Sequence, residues 1–288
     1  MRCLHPILVL LSLTLFSTGL AAADLKIATW NLEWLTDRRA GDPALPRDVQ
    51  PKSPADIAML RDYAVGLAAD VVAFQEVDGK EAAAHVFPSS AYQVHITADR
   101  VVQRVGFAVK HGIKFTGNPD LVGLDIFPDA KYRLRSGADI TLEMPGGRLR
   151  LLNVHLKTGC REDRLTSSRP QCEILARQLA PLQGWIAQRR AEGVPFVLLG
   201  DFNRWMDGSD PFYAGLAVSG PLARATSGQT SPCWGGGGFI DHIIAGGAAR
   251  PWMQADSLRV LVYKEKGIGW KARLSDHCPV SVRFRLPN

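Results

Sequence analysis

Long apolar runs are nearly absent from this chain of 288 residues. The longest, Ile7 to Leu20, has a core of only ten residues, Ile7 to Phe16, before Ser17, Thr18 and Gly19 intervene. A membrane-spanning helix needs roughly 18 to 20, so a span is disfavoured. With Arg2 ahead of it and Ala21-Ala22-Ala23 behind it, the stretch reads as a secretory signal cut before Asp24; the alternative is a membrane anchor. Cys3 precedes the apolar core instead of closing it, so lipid attachment is not indicated. The expected organisation is a signal peptide over 1–23 and one domain over 24–288, in a secreted or periplasmic protein.

Cysteine is scarce as well, at five residues. Setting Cys3 aside leaves Cys160, Cys172, Cys233 and Cys278, an even set that in an oxidising compartment allows two bridges in three connectivities. Cys160 and Cys172 bracket one short polar segment, which makes a local bridge the simplest choice and leaves Cys233 with Cys278. Four buried thiols are the alternative. Charge of one sign is not in great excess: 34 basic against 28 acidic residues give +6, which permits an anionic partner without requiring one. Internal repeats are missing, which excludes repeat arrays. Gly235 to Gly238 is of low complexity, but no helix start follows it, so it reads as a turn and not a phosphate cradle.

What is present is a series of polar clusters next to short apolar runs: Trp30-Asn31-Leu32-Glu33, Gln75-Glu76, Asn153-Val154-His155, Gly200-Asp201-Phe202-Asn203, and Asp241-His242 answered by Ser275-Asp276-His277. The runs before the first five clusters (Leu25–Thr29, Val71–Phe74, Leu149–Leu152, Phe196–Leu199, Phe239–Ile240) have the composition of buried strands. Carboxylates, amides and imidazoles are therefore expected on one rim of a sheet. Such an inventory suits metal-dependent hydrolysis of a phosphate ester. Carboxylates hold a hard cation, an aspartate takes a proton from water, and His and Asn stabilise the charged phosphorane.

Between the clusters, strand and helix signals alternate without a domain break. Ser53-Pro54-Ala55-Asp56 starts a helix with Ile57, Leu60, Ala64, Leu67 and Ala68 on one face. A second helix is expected over Glu173 to Arg190, kinked at Pro181. Pro145-Gly146-Gly147 signals a hairpin between Asp139–Glu143 and Arg148–Val154. Further strands are expected at Tyr92–Ile96, Val105–Val109, Ser257–Val262 and Val280–Phe284, and long loops over 37–52, 117–131, 208–238 and 264–273.

In order and rough spacing the clusters resemble those of the endonuclease/exonuclease/phosphatase superfamily, from Leu25 to Phe284. The resemblance implies an α/β (α+β) fold, a deoxyribonuclease I-like four-layer αββα sandwich of two packed mixed sheets flanked by helices. It implies Mg²⁺, with Mn²⁺ as an alternative, held by Glu76 with Asn31 and Asp276; Glu33 stands where some members place a second acid. It makes Asp201 the residue that activates water, Asn203 and His155 phosphate contacts, and Asp241 the acceptor that fixes the tautomer of His277. A phosphate-binding arginine matches Arg135 or its neighbour Arg133. Arg204 and Trp205, directly after Asn203, are expected to bind substrate, while His242 alternates to the other face.

Departures from the superfamily's subclasses narrow the substrate. Gly238 stands where abasic-site enzymes carry a tryptophan, and Gly-Gly-Phe-Ile-Asp-His replaces the segment of inositol 5-phosphatases. Gln103 aligns with the glutamate that pairs with the first histidine in deoxyribonuclease I relatives. Two readings stay open. One is an exported, sequence-tolerant DNA endonuclease with nucleic acid as its substrate. The other is a secreted phosphatase or sphingomyelinase-like phospholipid phosphodiesterase, for which residues 264–270 would supply a membrane-inserting hairpin. A monomer without an obligate protein partner is expected in either case.

Overall fold

The computed structural model describes residues 24–144 and 146–287, so the signal peptide expected over 1–23 lies outside the described residues, as does Pro145 in the hairpin turn. In chain order the elements are β1 (Asp24–Leu35), α1 (Pro54–Leu67), β2 (Val71–Val77), α2 (Lys80–Val86), β3 (Tyr92–Ile96), β4 (Arg104–Lys110), β5 (Lys114–Gly117), β6 (Ala138–Met144) and β7 (Gly147–His155). The second half holds α3 (Pro170–Ala191), β8 (Phe196–Asp201), α4 (Pro211–Leu216), β9 (Leu222–Arg224), β10 (Asp241–Gly246), β11 (Met253–Val260), α5 (Gly269–Arg273) and β12 (Val280–Arg285). Two mixed six-stranded sheets result, ordered β11-β12-β1-β2-β4-β3 and β5-β6-β7-β8-β10-β9.

Strand periodicity divides the apolar residues among three layers of core. Ile27, Val71, Ala73, Phe107, Leu151, Val197, Leu199 and Ile243 face one another between the sheets. Their neighbours on the other face, Ala28, Trp30, Val72 and Phe74, pack under α1 and α2, and Leu152, Leu198 and Ile244 pack under α3 and α4. The result is the four-layer sandwich that the motif order implies.

Local signals set the helices. Ser53 caps α1, its Oγ accepting from the Asp56 N–H at 3.2 Å, with Pro54 in the first turn. Helix α3 begins at Pro170 and continues through Pro181 as one segment, with Leu175, Leu182, Trp185 and Ile186 buried. No helix among the described residues is long and apolar enough to cross a membrane. Disulfides join Cys160 to Cys172 and Cys233 to Cys278.

Three expectations need correction. Asp241 opens β10, because β10 runs antiparallel to β8 with Asp241 opposite Asp201, so it begins a strand where the sequence suggested an end. The expected loop over 208–238 contains α4 and β9, elements too short to show a period. Residues 264–273 form no hairpin: Gly269–Arg273 is helical, and the half-buried Trp270 packs on the core beneath the Arg273 guanidinium, 3.9 Å away.

Candidate active site

The space between the sheets is apolar until one rim, where the inward positions turn polar. Next to the hydrocarbon lies a buried layer in which Gln75 Nε2 donates to Asn153 Oδ1 (2.7 Å) and Thr29 Oγ1 (3.1 Å). Asn153 Nδ2 donates to the carbonyls of Phe74 (2.8 Å) and Gly106 (2.7 Å). This satisfied network ties β7 to β2 and β4 across the interface and fixes the registration of the two sheets. One strand step further out come Asn31, His155, Asp201 and Asp241, all buried.

Glu76 should point away from this rim, since Phe74 two residues earlier lies in the helix-facing core. The backbone redirects it. The β1–β2 pairing shifts register between Asn31 and Leu35, and the β2–β4 pairing between Phe74 and Val77. Glu33, Trp34 and Glu76 stand at φ of 42°, 53° and 61°. Bulges of this kind re-aim side chains, and left-handed backbone at non-glycine residues costs of order 1–3 kcal/mol each, which the surrounding structure must offset. Asn203 shares the feature at φ 52°. Gly200, at φ 135°, has no space for a side chain against the Val154 backbone.

The bulges bring carboxylates together. Glu76 Oε1 accepts from Asn31 Nδ2 at 3.0 Å and Glu76 Oε2 from the Trp34 N–H at 3.3 Å. Glu33 Oε2 accepts from the Asp276 N–H at 3.0 Å. Burial and the like charges of Asp276 and Glu76 push the Glu33 carboxyl up to about 7. Lys52, buried and missed by the sequence reading, lies within electrostatic range of Glu33, Glu76 and Asp276 and donates to the Ala272 carbonyl at 3.2 Å. An all-oxygen donor set of mutually repelling acids suits a hard divalent cation. Glu76, Asp276 and Glu33 are the residues that fit one. Asn31 Nδ2 also donates to Asp201 Oδ2 (3.2 Å) and its Oδ1 accepts from the Glu33 N–H (2.9 Å), so it orients the acids around it.

Where the second sheet meets the loop before β12, the chemistry is different. His277 Nδ1 bonds Asp241 Oδ2 at 2.8 Å, and its Nε2 stands 3.7 Å from Asp201 Oδ2. Burial opposes charge on His277, but Asp241 and Asp201 outweigh it and hold the imidazole well above the ordinary histidine range. His155 Nε2 lies 3.5 Å from Asp201 and 3.6 Å from Glu76. Here burial wins, with help from Arg135 and His277, and the ring is held well below that range. Its Nδ1 is buried without a partner. Asp201, buried and beside Asp241, is raised to about 7. Asn203 donates its N–H to Asp201 Oδ1 at 2.7 Å. Asp201, Asp241 and His277 also offer ligand atoms within 4.8 Å of one another, although the bond between Asp241 and His277 already occupies two of them.

A cleft of about 480 Å³ opens over this centre. Arg135 lines it, anchored through Nε to the His155 carbonyl at 3.0 Å, whereas Arg133 is paired with Asp125 at 2.7 Å, which favours Arg135 for a phosphate contact. Trp205 lines the cleft too. Arg204 does not. It is buried, pairs with Asp210 at 2.7 Å and donates to the carbonyls of Cys160 (2.9 Å) and Asp163 (3.0 Å), so the expectation that it binds substrate is wrong. His242 on the helix-facing side bonds Thr226 at 2.7 Å and is structural, as its position implied. Besides Arg135, the cations of the cleft wall are Lys157, Arg161 and Lys271, joined by Trp234, and the sequence reading assigned none of these four to the site.

The model of the Endonuclease/Exonuclease/phosphatase family matches residues 28–277. The chain belongs to that family. Its members are hydrolases of phosphoester bonds, and the match runs from Ala28 within β1 to His277. No curated protein matches the chain by sequence. Among solved structures, truncated TDP2 from Caenorhabditis elegans is similar at 15% identity and TM-score 0.60, covering 93% of this chain and 100% of that one. The 3' phosphatase NExo from Neisseria, bound to a product DNA hairpin, is similar at 18% identity and TM-score 0.58, covering 90% and 99%. A Bacteroides thetaiotaomicron protein of the same family gives 17% identity and TM-score 0.57, covering 92% and 98%. At these identities the likeness is one of fold.

Proposed function

We propose that the chain is an exported, metal-dependent phosphodiesterase that cuts DNA with little sequence preference. One observation carries this reading: the carboxylate and imidazole centre opens into a cleft walled by Arg135, Lys157, Arg161 and Lys271 with two indoles, a surface suited to a polyanion bearing aromatic bases. Similar folds support it, since the Neisseria protein holds a DNA product hairpin and Danio rerio TDP2 a single-strand DNA product. Two disulfides agree with an oxidising compartment and hence with a signal peptide over 1–23.

In the mechanism we infer, Asp201 takes the proton of the attacking water, and a carboxyl raised to about 7 is well matched to that task near neutral pH. The His277 imidazolium, held charged by Asp241, and Asn203 stabilise the negative charge that develops on the phosphate oxygens. His155, kept neutral, contributes a hydrogen bond without adding a second positive charge beside Arg135. A divalent cation held by Glu76, Asp276 and Glu33 would neutralise phosphate charge and orient the ester when bound.

The test is to offer plasmid DNA, RNA, sphingomyelin and a phosphomonoester in parallel, with Mg²⁺ or Mn²⁺ and with chelator. Plasmid should be nicked and then linearised, with no activity in chelator. Activity should fall as salt rises, and Arg161→Ala should lower the slope of log affinity against log salt by about 0.9 on duplex. If plasmid stays supercoiled while the phosphomonoester or sphingomyelin is hydrolysed, a secreted phosphatase or phospholipid phosphodiesterase replaces this reading.

A further inference from the structure

The two indoles of the cleft are built alike. Trp205 lies flat against the backbone of Gly238, where a Cβ would stand 2.7 Å from its ring carbons, and the Arg161 guanidinium sits 5.9 Å from its ring centre. Trp234 stacks on the buried Tyr263 ring at 5.3 Å with 27° between planes, and the Lys271 ammonium lies 5.9 Å from its centre. Each ring is thus backed by a fixed surface and accompanied by a cation.

Each is also locked in place. The Trp205 backbone N–H donates to the Arg161 carbonyl at 2.8 Å, and Arg161 follows Cys160 of the first disulfide. Trp234 follows Cys233, whose partner Cys278 comes directly after His277, and its Nε1 donates to the Ser275 carbonyl at 3.0 Å. The second bridge therefore fixes Trp234 relative to His277, and the first holds the segment to which the Trp205 backbone is bonded. Rigid aromatic surfaces of this kind take up nucleobases by stacking, which an edge-on base inside a duplex cannot provide. The cleft, at about 480 Å³, has the size of a small-molecule pocket, so a helix cannot enter it whole.

Building on the nuclease reading, we propose that Trp205 and Trp234 form a base clamp that makes an unpaired nucleotide next to the scissile phosphate the preferred substrate. Single strands, frayed ends and unpaired loops are cut faster than continuous duplex, because a base in a duplex must first leave the stack.

The experiment uses the disulfide-intact protein with Mg²⁺ and three oligonucleotide substrates of one sequence: single-stranded, duplex, and single-stranded with abasic residues flanking the cut. The single strand should have the highest kcat/KM. Trp205→Ala should raise KM on it about 5- to 100-fold, the span that loss of one base stack produces, with kcat changed less, while Trp205→Phe recovers most of the loss. On the abasic strand Trp205→Ala should match the wild type within twofold. Trp234→Phe, which keeps the ring where Trp234→Ala endangers folding, should give a smaller shift in the same direction. Equal rates on all three substrates, or an equal loss on normal and abasic strands in Trp205→Ala, would overturn the clamp and leave the nuclease reading intact. Absence of cleavage on every DNA substrate would overturn both.

Discussion

The two sheets meet at one rim and reach it by different routes. The second sheet delivers His155, Asp201 and Asp241 from regular strands, the first two lying two residues after an inward-facing Asn153 or Leu199 and Asp241 two residues before Ile243. The first delivers Glu33 and Glu76 through register shifts and left-handed backbone. The charges differ as well. On the second sheet's side carboxylates meet imidazoles and pair with them, as in the bond by which Asp241 of β10 takes His277 from the segment before β12. In the first, Glu33, Glu76 and Asp276 crowd together with Lys52 as the nearby cation. Regular pairing serves proton transfer, where partners must match. Crowding of like charge holds in reserve an attraction for a cation, and the strained backbone is what keeps the acids from separating.

Removing one group from each side should separate the two roles. Asp201→Asn should lower kcat by about 100- to 10,000-fold, the usual loss for a general base, while leaving Mn²⁺ affinity near the wild-type value. Glu76→Gln should lose comparable activity and also weaken Mn²⁺ binding, read by calorimetry. Equal Mn²⁺ affinity in the wild type and Glu76→Gln would remove Glu76 from the metal shell. Wild-type turnover in Asp201→Asn would end the proposed mechanism.

The same contrast explains what could be read from sequence. Alternation along β7, β8 and β10 is visible as spacing, so His155, Asp201 and Asp241 were placed on one face, although the direction of β10 was not. The aim of Glu76 depends on its φ, which no residue type at that position announces. Arg161 and Trp234 lie in segments whose course is set by the disulfides and by long-range packing, and Lys271 lies in the short α5, so local pattern alone did not place them in the cleft. Arg204 failed for the opposite reason: adjacency to Asn203 suggested the cleft, but the chain turns it toward Asp210.

Arg204 and Arg161 therefore make a sharp pair. Breaking a buried ion pair by removing one partner costs about 3–5 kcal/mol, so Arg204→Ala should destabilise the protein by that order in chemical denaturation. Arg161→Ala should leave stability nearly unchanged and act on salt dependence. The opposite pattern would restore Arg204 to substrate binding. The disulfides come next in size. In the chain-entropy model the Cys160–Cys172 bridge, spanning 12 residues, contributes about 3 kcal/mol, and Cys233–Cys278, spanning 45, about 4 kcal/mol. Serine pairs at each bridge test the order, and the second should also cost activity, because Cys278 adjoins His277. Recovery of free thiols from exported protein would refute the bridges.

The smallest effect belongs to His242, the histidine of β10 that faces the helices instead of the rim. Its Nε2 lies 3.0 Å from the Arg204 carbonyl and its Nδ1 2.7 Å from Thr226 Oγ1, an arrangement that a neutral ring with its proton on Nε2 satisfies. Burial pushes this imidazole down to about 3, against roughly 6.5 in an unfolded chain. Between those values the unfolded state binds a proton that the folded state refuses. Stability is therefore constant from this source above pH 6.5 and declines as pH falls toward 3, by on the order of 1 kcal/mol per pH unit. His155, also held neutral by burial, adds a decline of the same sign, so the comparison must be between variants. His242→Gln preserves polar contact with Thr226 and Arg204 but cannot titrate. Its denaturation free energy should fall less than the wild type's between pH 7.5 and pH 5, by about 1–2 kcal/mol. Parallel pH profiles for the two proteins would show that His242 is not held neutral by its burial.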